Sequence, residues 1–178
     1  MAETVRPAHS RPRFSEYVAI GTIVAAGVAI IVAAASRSPT PVDVRELVGP
    51  MIAMFALTAT VWLLMVLFRF GAVLYGAASI KYFHDYKTEP PDEWIERPAR
   101  TFNNHMQVPA LFYIIALLMM IVPWVDRAQI NLAWIFVTTR ILHTIIYIGF
   151  NYVPFRFATY AVSCITLGAM WMRFALSV

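Results

Sequence analysis

One cysteine, Cys164, stands in the whole 178-residue chain. It excludes an intramolecular disulfide and any metal site built on several cysteine ligands. Charge is nearly as scarce. Asp, Glu, Lys and Arg make up 13% of the residues, where an ordinary soluble domain carries about 25%. The chain also lacks a glycine-rich phosphate loop, an HExxH helix, a CxxC pair and a nucleophile elbow, so no common nucleotide, zinc or acyl-transfer motif is present. What is abundant is apolar: 60% hydrophobic residues and a mean hydropathy of +0.66. A short soluble chain exposes too much of itself to bury that surface. Composition therefore excludes a soluble globular protein, a disordered segment and a nucleic-acid binder, and lipid is the solvent.

A helical span needs about 20 apolar residues. Five segments approach that: Tyr17–Ala35, Val48–Ile80, Val108–Val125, Ile130–Phe150 and Phe155–Val178. The runs are long rather than short and alternating, which favours helices over strands. The second is too long for one straight crossing, because 33 residues at 1.5 Å each make about 50 Å. Its end, through Tyr82–Tyr86, is expected to leave the membrane as a helical extension. Arg6, Arg11 and Arg13 before the first run and Ala33–Ala35 at its close also fit a cleavable leader. The run exceeds the usual 7–15 apolar residues of such leaders, so a retained anchor fits better.

Lys and Arg set the orientation. With the N-terminus inside, Arg6, Arg11, Arg13, Lys81, Lys87, Arg97, Arg100 and Arg156 fall inside, and Arg37, Arg45, Arg127 and Arg173 outside. Met1–Ser15 reads as a loose basic tail. Lys81–Asn104 reads as a polar cytoplasmic loop in which Pro90 and Pro91 break any helix. A retained first span and the lack of N-x-[ST] sequons suit a bacterial inner membrane.

Ionisable residues inside a span are costly and mark sites or internal contacts. Arg140, His143 and Tyr147 are spaced by three and four, on one helical face, and Asn151 continues that stripe. Either a structural network or a ligand accounts for them. Arg69 also lies in a span, and no acid is expected in any span to pair with it or with Arg140. Such an arginine must use carbonyls, amides, water or a bound anion. Snorkelling to an interface is the plain alternative, and it is easier for Arg156 and Arg173 than for Arg69 and Arg140. A third polar group, Arg100, Asn104 and Gln107, shares one face at the start of the third span, which also fits a helix cap. His84 and His105, near the interface, make a poor metal site, and none is expected.

These residues carry a resemblance. The stretch IERPARTFNNHMQ (Ile95–Gln107), followed by VPALFY, resembles the signature of the MAPEG family, the membrane-associated proteins in eicosanoid and glutathione metabolism. Arg100 and Asn104 match that pattern, and Gln107 stands where the family has an acid. RILHTIIYIGFNYVPFRFATY (Arg140–Tyr160) resembles the branch of microsomal prostaglandin E synthase and microsomal glutathione transferase. Arg140, His143, Tyr147, Gly149, Pro154, Arg156 and Tyr160 match there, and Arg69 and Lys81 fall at the spacing of two basic residues on the first helix of that branch. The resemblance begins near Met51. It divides the chain into 1–50, with the tail and an extra transmembrane helix, and 51–178, the family-like domain.

The resemblance implies an all-α membrane protein, a four-helix bundle plus one added N-terminal helix, assembled as a homotrimer. It implies glutathione as cofactor, bound between neighbouring subunits near the cytoplasmic face, and an apolar small-molecule substrate arriving from membrane lipid. Carried over by position, Lys81, Arg100, Asn104, Gln107, Arg140, His143, Tyr147 and Tyr160 would bind glutathione. Arg156 would be catalytic, polarising the thiol toward the reactive thiolate. The implied activity is a glutathione transferase or peroxidase acting on an apolar electrophile or lipid hydroperoxide. The family also holds a non-catalytic lipid-binding member, so a lipid-binding scaffold or a small subunit of a larger membrane complex is the alternative. Asn103 and Phe157 depart from the synthase pattern, which has a basic residue and a serine there. Gln107 accepts a hydrogen bond without charge, so it would hold the glutathione ammonium more weakly than a carboxylate.

Overall fold

The computed structural model describes residues 14–36, 40–86, 90–122 and 125–177. Seven α-helices run through them: α1 (Phe14–Ala35), α2 (Val48–Leu74), α3 (Ile80–Asp85), α4 (Glu93–His105), α5 (Val108–Ile121), α6 (Arg127–Ile148) and α7 (Val153–Ala175). A single 3₁₀ turn, Val44–Leu47, leads into α2. Among the described residues the only extended pairing is one isolated bridge, Pro41 to Asp126. Five helical stretches are long and apolar enough to cross a membrane: α1, the 3₁₀ turn with α2, α4 with α5, α6 and α7. The protein is an all-α integral membrane protein.

Caps and breakers fix the helix limits. The Asp126 side chain accepts from the Gln129 amide at 2.9 Å and starts α6, the usual use of Asp at that position. Pro109 and Pro154 sit in the first turns of α5 and α7, where a missing N–H costs nothing. Five spans at this spacing need tight packing. α6 pairs most extensively with α7, α2 packs on α4, and α1 lies along α7. Gly27 is required at that last contact, since a Cβ there would come within 2.6 Å of Val162 Cγ2. In the core, Phe112 and Phe136 stack with ring centres 4.8 Å apart, among Leu47, Met54, Ile115 and Met170, all fully buried.

The structure corrects several sequence expectations. The second apolar run does not continue as one helix into Tyr82–Tyr86. It stops at Leu74, turns through Gly76 at φ 72°, and restarts as the six-residue α3, capped by Ser79. Glycine takes that left-handed turn without strain. The expected loop Lys81–Asn104 contains all but the last residue of the 13-residue α4, which carries Pro98 inside it. Pro90 and Pro91 lie before that helix rather than breaking it. Consequently acids do lie in the spanning stretches, among them Glu46 ahead of α2 and Glu93 and Glu96 on α4. Glu96 is buried on α4, and its carboxylate accepts from Arg69 of α2 at 3.4 Å. Arg69 also lies over the Phe83 ring, 5.1 Å from its centre.

Arg173 does not snorkel. Its guanidinium pairs with the buried Asp126 carboxylate and donates to the Ala35 carbonyl at 2.6 Å. His105 is interior as well. The Thr58 hydroxyl donates to the Met54 carbonyl, so its oxygen accepts from His105 Nδ1 at 3.2 Å. Nε2 then accepts from Thr144 at 2.8 Å, which joins α2, α4 and α6. The tail expected over Met1–Ser15 lies outside the described residues up to 13, and Phe14 and Ser15 already belong to α1.

Candidate functional site

The hydrogen bonds sort the bundle into two ends. Arg127 pairs with Glu46 at 2.5 Å and Arg173 with Asp126 at one end. At the other, α4 begins, and α6 passes to α7 through Gly149–Tyr152. There Arg97 of α4 donates to the Gly149 carbonyl at 2.7 Å.

A cleft of about 320 Å³ opens at this second end, lined by Asn104, His143, Tyr147, Val153, Arg156, Phe157 and Tyr160. The helical periodicity builds it. His143 and Tyr147, four apart on α6, and Arg156 and Tyr160, four apart on α7, turn toward each other. Asn104 enters from the last turn of α4. The His143 ring lies 5.8 Å from Tyr147 and 5.7 Å from Tyr160. Its Nδ1 donates to the Arg156 carbonyl at 3.0 Å. Nε2 is buried without a partner. The Arg156 guanidinium sits over the Tyr147 ring, 4.4 Å from its centre, and donates through Nη1 to Asn151 Oδ1 at 2.6 Å.

Arg140 stands behind this cleft with no solvent exposure at all. It donates through Nη2 to the Asn104 side-chain oxygen and backbone carbonyl. It lies 5.8 Å from the centre of the Tyr160 ring. Its Nε and Nη1 have no hydrogen-bond partner. Among the described residues no carboxylate pairs with it. A buried cation is ordinarily paired, so this end of the bundle carries positive charge that the chain itself does not neutralise.

Of the residues singled out in the sequence, Asn104, His143, Tyr147, Arg156 and Tyr160 line one cleft, and Arg140 backs it. Lys81 on α3 and Arg100 on α4 are exposed and apart from it. The shared face of Arg100, Asn104 and Gln107 does not form. α4 ends at His105, and exposed Gln107 takes the N-cap position of α5 at φ −98° and ψ −80°. The polar stripe of α6 likewise ends with the helix at Ile148, so Asn151 reaches the site from the turn, at φ 49°. Sequence reasoning missed Glu93 as a member of the site. Asn151 Nδ2 donates to its Oε1 at 2.7 Å, a partnership that depends on α4 forming inside a segment read as loop. Val153 was missed too, although it stands three residues before Arg156.

Among the described residues no group of His, Cys, Asp and Glu is arranged to hold a metal. What the arrangement can do is hold an anion against arginine and tyrosine, with amides at hand for a peptide-like group. No curated protein matches the chain. A model of the MAPEG family matches residues 47–176, from the turn before α2 to the end of α7, leaving α1 outside the match. With well over half of its length matched, and four of the five membrane-spanning stretches and the cleft residues inside that range, the chain belongs to the MAPEG family.

Proposed function

We propose that this protein is a membrane glutathione transferase or peroxidase that acts on an apolar electrophile or lipid hydroperoxide. The observation that carries this is the pair of arginines at one end of the bundle, Arg140 and Arg156, neither held by a carboxylate. Glutathione suits that end. It brings carboxylates for the cations, peptide groups for Asn104 and the free Nε2 of His143, and a sulfur that a guanidinium stabilises as thiolate. Arg156, stacked on Tyr147 and facing the cleft, is assigned that last role. Arg140 is assigned to charge balance behind Asn104.

The cleft is open, and Lys81, Arg100 and Gln107 are exposed and do not line it. A homotrimer with the site between subunits accounts for both facts, with those three residues contributed to a neighbour's cleft. The excess of Lys and Arg puts the cleft on the cytoplasmic side. The apolar substrate approaches from lipid. One observation favours the non-catalytic reading: an apolar cleft of about 560 Å³ between α2, α4 and α5, walled by Phe55, Trp62, Phe102 and Tyr113, is suited to a lipid tail.

The test is turnover. Purified protein in detergent is expected to consume glutathione with an aryl halide or a lipid hydroperoxide, and Arg156→Ala to remove that activity while the fold survives. Binding of lipid with no glutathione-dependent turnover of either substrate would select the scaffold reading.

A further inference from the structure

We propose that Asn151 is a positioning residue that aims the Arg156 guanidinium into the cleft, and that Glu93 holds Asn151 in turn. For its ligand this inference rests on the glutathione reading above. Its geometry is independent of it.

α6 ends at Ile148 and α7 begins at Val153, so the chain reverses within four residues. Asn151 makes that reversal at φ 49°, with its N–H bonded to the Ile146 carbonyl at 2.8 Å. Asparagine is among the few residues other than glycine that visit this region readily. Glycine would serve the turn equally well, so the turn alone does not call for a side chain here.

The side chain is bonded at both ends of its amide. Oδ1 accepts from Arg156 Nη1 at 2.6 Å, and Nδ2 donates to Glu93 Oε1 at 2.7 Å. A carboxamide can accept from a cation through its oxygen and donate to a carboxylate through its nitrogen at the same time. An aspartate would accept twice and repel Glu93. Glu93 is itself fixed, with Arg97 Nε 3.7 Å from the same Oε1, and Arg97 Nη1 bonds the Gly149 carbonyl two residues before Asn151. The first turn of α4 is thereby tied to the α6–α7 turn at two points.

The guanidinium is held on two sides as a result: on its edge by Asn151 and on its face by the Tyr147 ring. Arginine has a long, flexible stem, and its planar fork gains from being aimed in advance. The amide has a second consequence. A direct Glu93–Arg156 ion pair would neutralise the cation and compete with an arriving anion. An amide between them orients the guanidinium and leaves its charge for the ligand.

The experiment uses the full chain in detergent micelles, with two probes measured by calorimetry. Glutathione sulfonate carries negative charge where the thiolate would be. S-methylglutathione carries a neutral sulfur there. The wild-type chain is expected to prefer the sulfonate. Asn151→Gly keeps the left-handed turn and is expected to bind S-methylglutathione within about twofold of wild type. Its preference for the sulfonate should fall by about ten- to a hundredfold, the range seen when a partner orienting a functional group is lost. Glu93→Ala leaves the turn residue in place and should lower the preference in the same direction, while Glu93→Gln, which keeps an acceptor for Nδ2, should restore most of it. This covers the case in which Asn151→Gly fails to fold. Full sulfonate preference in folded Asn151→Gly, or in Glu93→Ala, overturns the relay and leaves the glutathione reading standing. A wild-type chain that binds neither probe overturns the glutathione reading, and this inference with it.

Discussion

Arg173 and Arg140 are both arginines inside membrane-spanning helices, at opposite ends of one bundle, and they are treated differently. Arg173 has a buried carboxylate, Asp126, a carbonyl from α1, and a nearby second ion pair between Arg127 and Glu46. Arg140 has an asparagine, an aromatic face and two unpartnered N–H groups. The first end is electrostatically closed and joins α1, α6 and α7. The second is left positive around an open cleft. Within a chain this poor in charge, the paired cation closes its own end of the bundle, and the unpaired one leaves charge at the other.

Four substitutions probe the two ends separately. Asp126→Ala removes the partner of Arg173 and the cap of α6 together, and should destabilise the fold by about 3–5 kcal/mol, the cost of orphaning a buried charge. Denaturant unfolding in mixed micelles reads this, and the glutathione affinity of the surviving folded fraction should be unchanged. Arg156→Ala should do the reverse. Glutathione-dependent turnover should fall about 10²–10³-fold, as when a preorganised charge-stabilising donor is lost, with the unfolding midpoint kept. Gly27→Val should cost about 1–3 kcal/mol by overpacking. Its Cβ meets Val162, so α1 should loosen, read as faster proteolysis of that helix while cleft binding persists. Gln107→Glu should give the smallest change. If a neighbouring subunit places this residue at the glutathione ammonium, the affinity should rise by about fivefold, since a charge-assisted bond is roughly twice as strong as a neutral one. An unchanged affinity means that position 107 does not touch the ligand.

How much the sequence disclosed follows from the same contrast. The five spans were legible because hydrocarbon demands long apolar runs, and the ends of α6 and α7 came out within three residues. His143 and Tyr147 were legible because they lie four apart on one helix, a spacing the fold cannot alter, whereas Arg156 and Tyr160 were singled out only through the family resemblance. The exceptions all involve partners brought from elsewhere in the chain. Glu96 could not be matched to Arg69, nor Glu93 to Asn151, while Lys81–Asn104 read as a loop. Two prolines before α4 suggested a break, and Pro98 within it turned out to be tolerated. Asp126 was invisible as the counter-ion of Arg173 because 47 residues separate them. Gln107 shows the opposite failure, since a seven-residue spacing means a shared face only where the helix continues, and α4 stops two residues short of it.

Titration of glutathione into the purified wild-type chain by calorimetry tests the central claim most directly. The unneutralised end of the bundle predicts saturable binding within the millimolar range, weakened by Arg156→Ala and left intact by a substitution at the closed end such as Arg127→Gln. Absence of binding at millimolar glutathione in the folded wild-type protein, or binding that both substitutions weaken equally, would contradict it.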